Sequence, residues 1–466
     1  MTQASVPSFK ERVSAFYCGN VYPIFIALLV VLGATTGIEV ITMLIHAVVL
    51  YGAFLFSDSI KPILVSLLTF IYQISVKNAP HHPTGSDYYA TSWRIYVLFL
   101  TGILIFVGLL IFAYRNKIFS LEKLKRTPLL VPTLIFSLGL LLNGVFSGEW
   151  IFSNLVFGFS NVAVYLIAYV YVYNGFSEKD SAESIGSYFS YLSLLASFII
   201  STELIHRMIT NENTFTDGSI NKVEMSLGWG IWNLIAVSLA ILIPLLFYGV
   251  YKNRYPWLYF GAATLAYVMS VLTMSRNALI FASLAYAACI IISCFVGSYK
   301  KQFRIVALLG IVLVLAFAVV FFDKIYVLLA DYFERGLSDN GRFLLWQGAF
   351  ESFVENPIFG SGFYGLNIDS IQFSFLPKMA HQTVLQLLGA TGIFGLLSYL
   401  YYRVKTAISV FRKPSLLKTM MALSILVLLL ESLLDNFIFN FYPVFYYVVA
   451  LAIIARSNEE ENNPIL

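Results

Sequence analysis

Charge is what this sequence has least of. Only 12% of its 466 residues are Asp, Glu, Lys or Arg, against about a quarter in soluble domains. A surface so poor in charge argues against a soluble enzyme. Cysteine is scarce as well, with Cys18, Cys289 and Cys294 the only 3. Two of them share one hydrophobic run and the third stands near the N-terminus, so neither a disulfide framework nor a zinc site is suggested. There are 5 histidines, and no HExxH, CxxC, P-loop or Gly-rich nucleotide motif to go with them. An acidic metal-binding motif of the kind soluble nucleotide-sugar chemistry uses is also missing. No cofactor, metal or nucleic acid is expected.

What the chain does have is apolar length: 59% of it is hydrophobic. Runs of about 17–24 residues recur from end to end, the length that crosses a ~30 Å hydrocarbon core. The alternating ten-residue pattern of a β-barrel is not seen. The reading is an all-α polytopic membrane protein with about 12–14 transmembrane helices in a single integral domain, 1–466. The fourteen runs fall at about 22–36, 39–57, 60–76, 94–114, 128–146, 150–173, 185–205, 228–250, 257–273, 277–297, 305–322, 383–402, 417–434 and 437–455. The first is read as an uncleaved span, because no small-x-small cleavage site precedes a soluble region.

Lys and Arg in the connectors set the orientation. With the N-terminus in the cytoplasm, about 20 of the 29 basic residues lie inside. Arg403, Lys405 and Arg412 count among them. Both termini are then cytoplasmic, and the tail 456–466 reads as a short disordered end. Arg276, the stretch 323–382 and the Asp435-Asn436 corner face outward, with His81, His82, Glu149, His206 and Arg207.

The stretch 323–382 is the one connector long enough to be a structure of its own. It reads as a large extracytoplasmic loop with short helices. Within it, Gly341 to Asn356 has helical periodicity, with Phe343, Trp346, Phe350 and Phe353 on one face. Asp339 or Asn340 could cap this helix and Pro357 stops it. The run Gly360 to Gly365 turns the chain tightly and lets backbone amides approach a ligand.

Four residues are singled out. Arg276 lies at a corner between two spans, where an arginine either snorkels or binds an anion. Arg342 opens the amphipathic helix, and is either solvated or a second guanidinium on the same anion. Arg335 is a third such candidate. His381 stands where the outer stretch enters the next span; it is either a polar boundary residue or a base working near neutral pH.

Three pieces occur in order: Ser275-Arg276-Asn277-Ala278; Gly341-Arg342-Phe343-Leu344-Leu345-Trp346 followed by Asn356-Pro357-Ile358-Phe359-Gly360-Ser361-Gly362; and His381-Gln382 before Gly389-Ala390-Thr391-Gly392-Ile393-Phe394-Gly395. The set, between about 270 and 400, resembles the O-antigen ligase and O-antigen polymerase superfamily. That resemblance implies metal-independent, inverting glycosyl transfer on the outer face of the bacterial cytoplasmic membrane, from an undecaprenyl-pyrophosphate-linked oligosaccharide. It implies that Arg276 and Arg342 hold the pyrophosphate and that His381 acts on the acceptor. The family often has His-Asn where this chain has His-Gln.

Two arginines in a partly dehydrated site suit a pyrophosphate leaving group independently of the resemblance. A chain-length regulator or a flippase is an admissible partner beside the bilayer. Within the family the first reading is a polymerase of O-antigen or capsule repeat units, and the alternative is a ligase onto lipid A-core or protein. A transporter is the rival from another class; Glu203 and Glu431, both within spans, are its best support.

Overall fold

The computed structural model describes residues 9–74, 93–147, 150–177, 180–216, 219–320, 322, 341–368 and 377–462. The chain is helical nearly throughout. In order, the helices are α1 (Phe9–Cys18), α2 (Val21–Thr36), α3 (Glu39–Phe56), α4 (Lys61–Thr69, extended by a 3₁₀ turn Phe70–Gln73), α5 (Trp93–Arg115), α6 (Leu121–Arg126), α7 (Leu130–Leu141), α8 (Phe152–Gly175), α9 (Ala182–Thr210), α10 (Trp232–Lys252), α11 (Pro256–Leu272), α12 (Arg276–Phe295), α13 (Lys300–Val320), α14 (Arg342–Glu355), α15 (Thr383–Phe411), α16 (Leu416–Leu434) and α17 (Phe441–Asn462). Among the described residues the only strands are the pair Phe215–Thr216 and Ser219–Ile220.

Each of the fourteen apolar runs is a helix over most of its described length. Among the described residues nine are long and apolar enough to cross a membrane, or ten if α1 and α2, bent by 60°, form one span. The shorter Lys61–Gln73, Leu130–Leu141 and Pro256–Leu272, with α13, account for the others. The run at 128–146 yields only 12 helical residues, about 18 Å at 1.5 Å per residue. It stops because the chain turns at Leu142–Ser147, where Gly144 takes φ +67°.

Consecutive helices run back and forth, so their ends gather at two poles. At one, Lys252 pairs with Glu183 and Lys418 with Glu461, tying α10 to α9 and α16 to α17. At the other, the Trp229 indole donates to Glu203 at 2.9 Å just ahead of α10, and the Thr383 hydroxyl donates to the Ser432 carbonyl at the start of α15 and end of α16. The second pole holds the candidate site and is called the site end.

α10 and α17 form the heart of the bundle, each 89% buried over its apolar window. α5 is 17% buried and presents Phe99, Ile103, Phe106 and Leu110 outward. A helix that is apolar all round and buried needs neighbours on every side. An apolar helix left exposed on one face suits lipid.

Three expectations are corrected. The tail is not a loose end: α17 continues to Asn462, with Glu459 accepting from the Tyr173 hydroxyl, Glu460 from the Ala182 amide and Glu461 from Lys418. α15 runs on to Phe411, so Arg403 is not in a connector. Its guanidinium lies among the rings of Tyr399, Tyr402 and Tyr447, 4.7–5.3 Å from their centroids, a cation–π cage that offsets its removal from water.

The third correction concerns the Gly-rich run. α15 is broken at Gly392, whose φ 64° and ψ −165° no helix contains. The break strands two carbonyls above it and two amides below it. Residues 357–362 supply all four partners. The Ser361 and Gly362 amides donate to the Gly389 and Ala390 carbonyls, both at 2.9 Å. The Ile393 and Phe394 amides donate to the Pro357 and Ile358 carbonyls at 2.9 and 3.2 Å. These amides thus complete a helix rather than approach a ligand. The fit needs glycine twice over: a Cβ on Gly360 would press on the Ala390 backbone, and one on Gly362 (φ +80°) on the Asn154 side chain.

Candidate functional site

The site is assembled where α15 begins and α16 ends. Gln382 caps α15, its side chain accepting from the Leu385 amide at 2.5 Å; this is the role of the neighbour in the His-Gln pair. The Gln386 carbonyl oxygen takes the Ala380 amide at 2.6 Å and the Asn436 side-chain amide at 2.9 Å. Between those two anchors His381 is held at φ +51°, a left-handed conformation that costs a non-glycine residue about 1–2 kcal/mol. Backbone strain of this kind persists only where the surroundings over-determine it.

His381 Nδ1 lies 2.9 Å from Asp435 Oδ1. The same oxygen accepts the Asn436 amide at 2.8 Å, and the Asp435 amide closes α16 onto Glu431. The histidine side chain is 32% exposed and the aspartate 13%, so the pair is sheltered with the imidazole on the open side. A carboxylate only accepts. It therefore fixes the Nδ1–H tautomer and leaves the lone pair on Nε2. An oriented imidazole with a free Nε2 is suited to taking a proton from a hydroxyl.

The arginines stand at two other helix beginnings. Arg276 is the first residue of α12, two residues after Met274, a non-glycine at φ +56°. Arg342 is the first residue of α14, after Gly341 at φ +77°, which occupies the cap position; the expected caps Asp339 and Asn340 lie outside the described residues, as does Arg335. Both arginines are half-buried, and among the described residues no hydrogen bond or ion pair engages either one. A helix beginning adds unpaired amides and the positive end of the helix dipole to each guanidinium, which favours anions.

Arg276 belongs to the site end. α11 runs beside α10 with the Ser270 hydroxyl on the Ala236 carbonyl, one turn into α10, and then turns through Thr273–Ser275 into α12. α14 packs on the first half of α15: a Cβ on Gly389 would meet the Ala349 carbonyl at 2.5 Å. Its contact face is the small one, Gly348, Ala349 and Ser352, while Phe343 and Phe350 remain exposed. Small residues allow the close approach, and the aromatics are left for the membrane boundary. No hydrogen bond or ion pair joins any two of Arg276, Arg342 and His381 among the described residues.

Sequence reasoning marks Asp435 only as part of an outward corner and gives it no role. The signal was there: like Arg276, it is a charge between two spans with almost no loop. Of the other outward polar residues, His206 stands on α9 and Arg207 pairs with Glu224 at 2.9 Å; the remaining histidine of the bundle, His46, is buried against Gln73 at 2.7 Å. His81, His82 and Glu149 lie outside the described residues. Among the described residues no three His, Cys, Asp or Glu side chains are grouped as metal ligands would be.

Fold and site together define a helical polytopic membrane protein with a histidine–carboxylate pair at one pole and, among the described residues, an unpaired Arg276 at the same pole. A family model described as O-antigen ligase matches residues 261–400, a stretch that contains Arg276, Arg342 and His381. Over that stretch, about a third of the chain, the protein is similar to O-antigen ligases, in agreement with the ordered motifs read from the sequence. No curated protein matches the chain in sequence.

Proposed function

We propose that this chain is a polysaccharide polymerase that joins undecaprenyl-pyrophosphate-linked repeat units at the outer face of the cytoplasmic membrane, without a metal. The observation that carries the proposal is the His381–Asp435 pair at the same pole as an unpartnered Arg276.

In this reading the acceptor hydroxyl approaches His381 Nε2 and gives up its proton there. Its oxygen forms a bond to the anomeric carbon as the bond from that carbon to the pyrophosphate oxygen breaks, with inversion. Arg276 and Arg342 take up the charge that develops on the departing pyrophosphate. Arg335 is the third contact in this reading. Asp435 keeps the imidazole in the productive tautomer and stabilises the imidazolium that forms. The stretch 323–382 is the catalytic loop of the single membrane domain, and the long apolar body accommodates the polyprenyl tail.

The description of the matched family favours a second reading, a ligase. The two share the donor side and differ in acceptor: another lipid-linked repeat unit, or lipid A-core or protein. Purified protein given a lipid-linked repeat unit alone separates them. A ladder of longer lipid-linked glycans, lost in His381→Ala, supports the polymerase. Transfer only after lipid A-core is added replaces it with the ligase. No transfer to any acceptor removes both.

A further inference from the structure

The pole opposite the site contains a cavity of about 340 Å³ between α15, α17 and the start of α7, within the ~300–1,000 Å³ range of small-molecule pockets. From α15 it is lined by Lys405, Ile408, Ser409 and Arg412. Residues 405 and 412 are two turns apart, so both cations fall on one face. Asn458, Glu459 and Asn462 line it from α17, and Leu129, a non-glycine at φ +57°, closes one side.

The charge in this cavity is not balanced from within. Glu459 is committed to Arg456 at 2.8 Å and to the Tyr173 hydroxyl at 2.9 Å. Asn458 is spent on Lys418 and Ser409. The Arg412 guanidinium makes one hydrogen bond, to Asn462 Oδ1 at 3.0 Å. Lys405 is exposed, its ammonium 5.7 Å from the Tyr401 ring, and among the described residues no carboxylate pairs with it. Two cations therefore face the cavity while its one carboxylate is neutralised by a third.

What leads to the cavity identifies its occupant. Leu397, Leu400, Val404, Ile408 and Phe411 recur every three or four residues along α15 and are all exposed. This apolar stripe runs down the helix and contributes Ile408 to the cavity wall. An acyl chain lying on the stripe brings its headgroup to Lys405 and Arg412 at the end of the helix.

We infer that this cavity is a binding site for an anionic phospholipid, its phosphodiester held by Lys405 and Arg412 and its acyl chains laid along the exposed face of α15. With the connector charges read as above, this pole lies in the cytoplasmic leaflet, where juxtamembrane cations meet anionic headgroups. The inference does not depend on the glycosyl-transfer reading, since none of its residues belongs to the candidate site.

The experiment is thermal unfolding of the full chain in a neutral detergent, titrated with phosphatidylglycerol, phosphatidylcholine or inorganic phosphate, for wild type and K405Q/R412Q. The expected result is a rise in Tm with phosphatidylglycerol alone, lost in the double variant, with one fewer tightly bound lipid by native mass spectrometry. Equal rises with both lipids, or a rise retained by K405Q/R412Q, overturn the site. A rise with inorganic phosphate that matches that of the lipid overturns the lipid assignment. If K405Q/R412Q does not fold, K405Q alone is tested; its exposed side chain holds no hydrogen bond, and the rise with phosphatidylglycerol must shrink.

Discussion

The cations that join segments of the bundle and those of the candidate site are treated differently. Away from the site, Lys61, Arg115, Arg126, Lys252, Lys418 and Arg456 each have a carboxylate within 2.6–3.0 Å. At the site end Arg207 has one too, but among the described residues Arg276 has none and Arg342, on the helix packed there, has none. The chain does not lack acids, since it has 25. The pairs of Lys61, Arg115, Lys252 and Lys418 join separate segments, whereas an arginine held half-buried without a carboxylate remains free to bind an anion. Asp435, an acid at the site end, is turned to the histidine instead.

That contrast can be tested by exchanging the roles. The largest expected effect is on chemistry. His381→Ala should lower transfer about 10²–10⁴-fold, and Arg276→Gln about 10²–10³-fold, with membrane abundance and Tm near wild type in both; a Tm collapse would make these structural residues. Asp435→Asn should lower kcat more than it raises KM, because it disturbs the imidazole without touching the donor; a pure KM effect would remove its positioning role.

At the opposite pole the expected readout is stability. Lys418 is 1% exposed and also donates to the Arg412 and Lys413 carbonyls, so Lys418→Ala should cost about 3–5 kcal/mol. It should lower Tm and yield while leaving transfer per folded molecule unchanged. Gly392→Ala forces a side chain onto a backbone conformation reserved for glycine and against the Ile358 carbonyl, a strain of about 1–3 kcal/mol; its Tm should fall by less than that of Lys418→Ala. Least affected should be Lys252→Gln, which removes a surface pair worth about 0–1 kcal/mol. A large Tm loss there would mean that the pair does more than a solvated ion pair does.

Much of this was legible in the sequence because bilayer thickness is a strict ruler. Run lengths gave the helices, and the helix at Gly341 to Asn356 was marked by its periodicity and by Pro357. Arg276 and His381 were visible as polar residues at span boundaries. Three things were hidden, each because it is a pairing across distance. The His381–Asp435 bond joins residues 54 apart, and nothing local to either names the other. The glycines of 360–362 look the same in sequence whether their amides meet a ligand or a broken helix. The acidic tail has the composition of a solvated end, and only the partners Lys418, Tyr173 and Ala182, far away in the chain, make it a helix.

The break at Gly392 also constrains how the protein is built. Entering the bilayer alone, α15 would bring four bare backbone groups into hydrocarbon, each costing several kcal/mol. The segment that covers them, 357–362, is made before α15, and so is Gly144, whose amide bonds the Phe359 carbonyl. Synthesis from the N-terminus thus delivers the cover before the helix that needs it. A circular permutant that begins at residue 383 would reverse that order, and should insert poorly even though every contact of the finished molecule remains available to it.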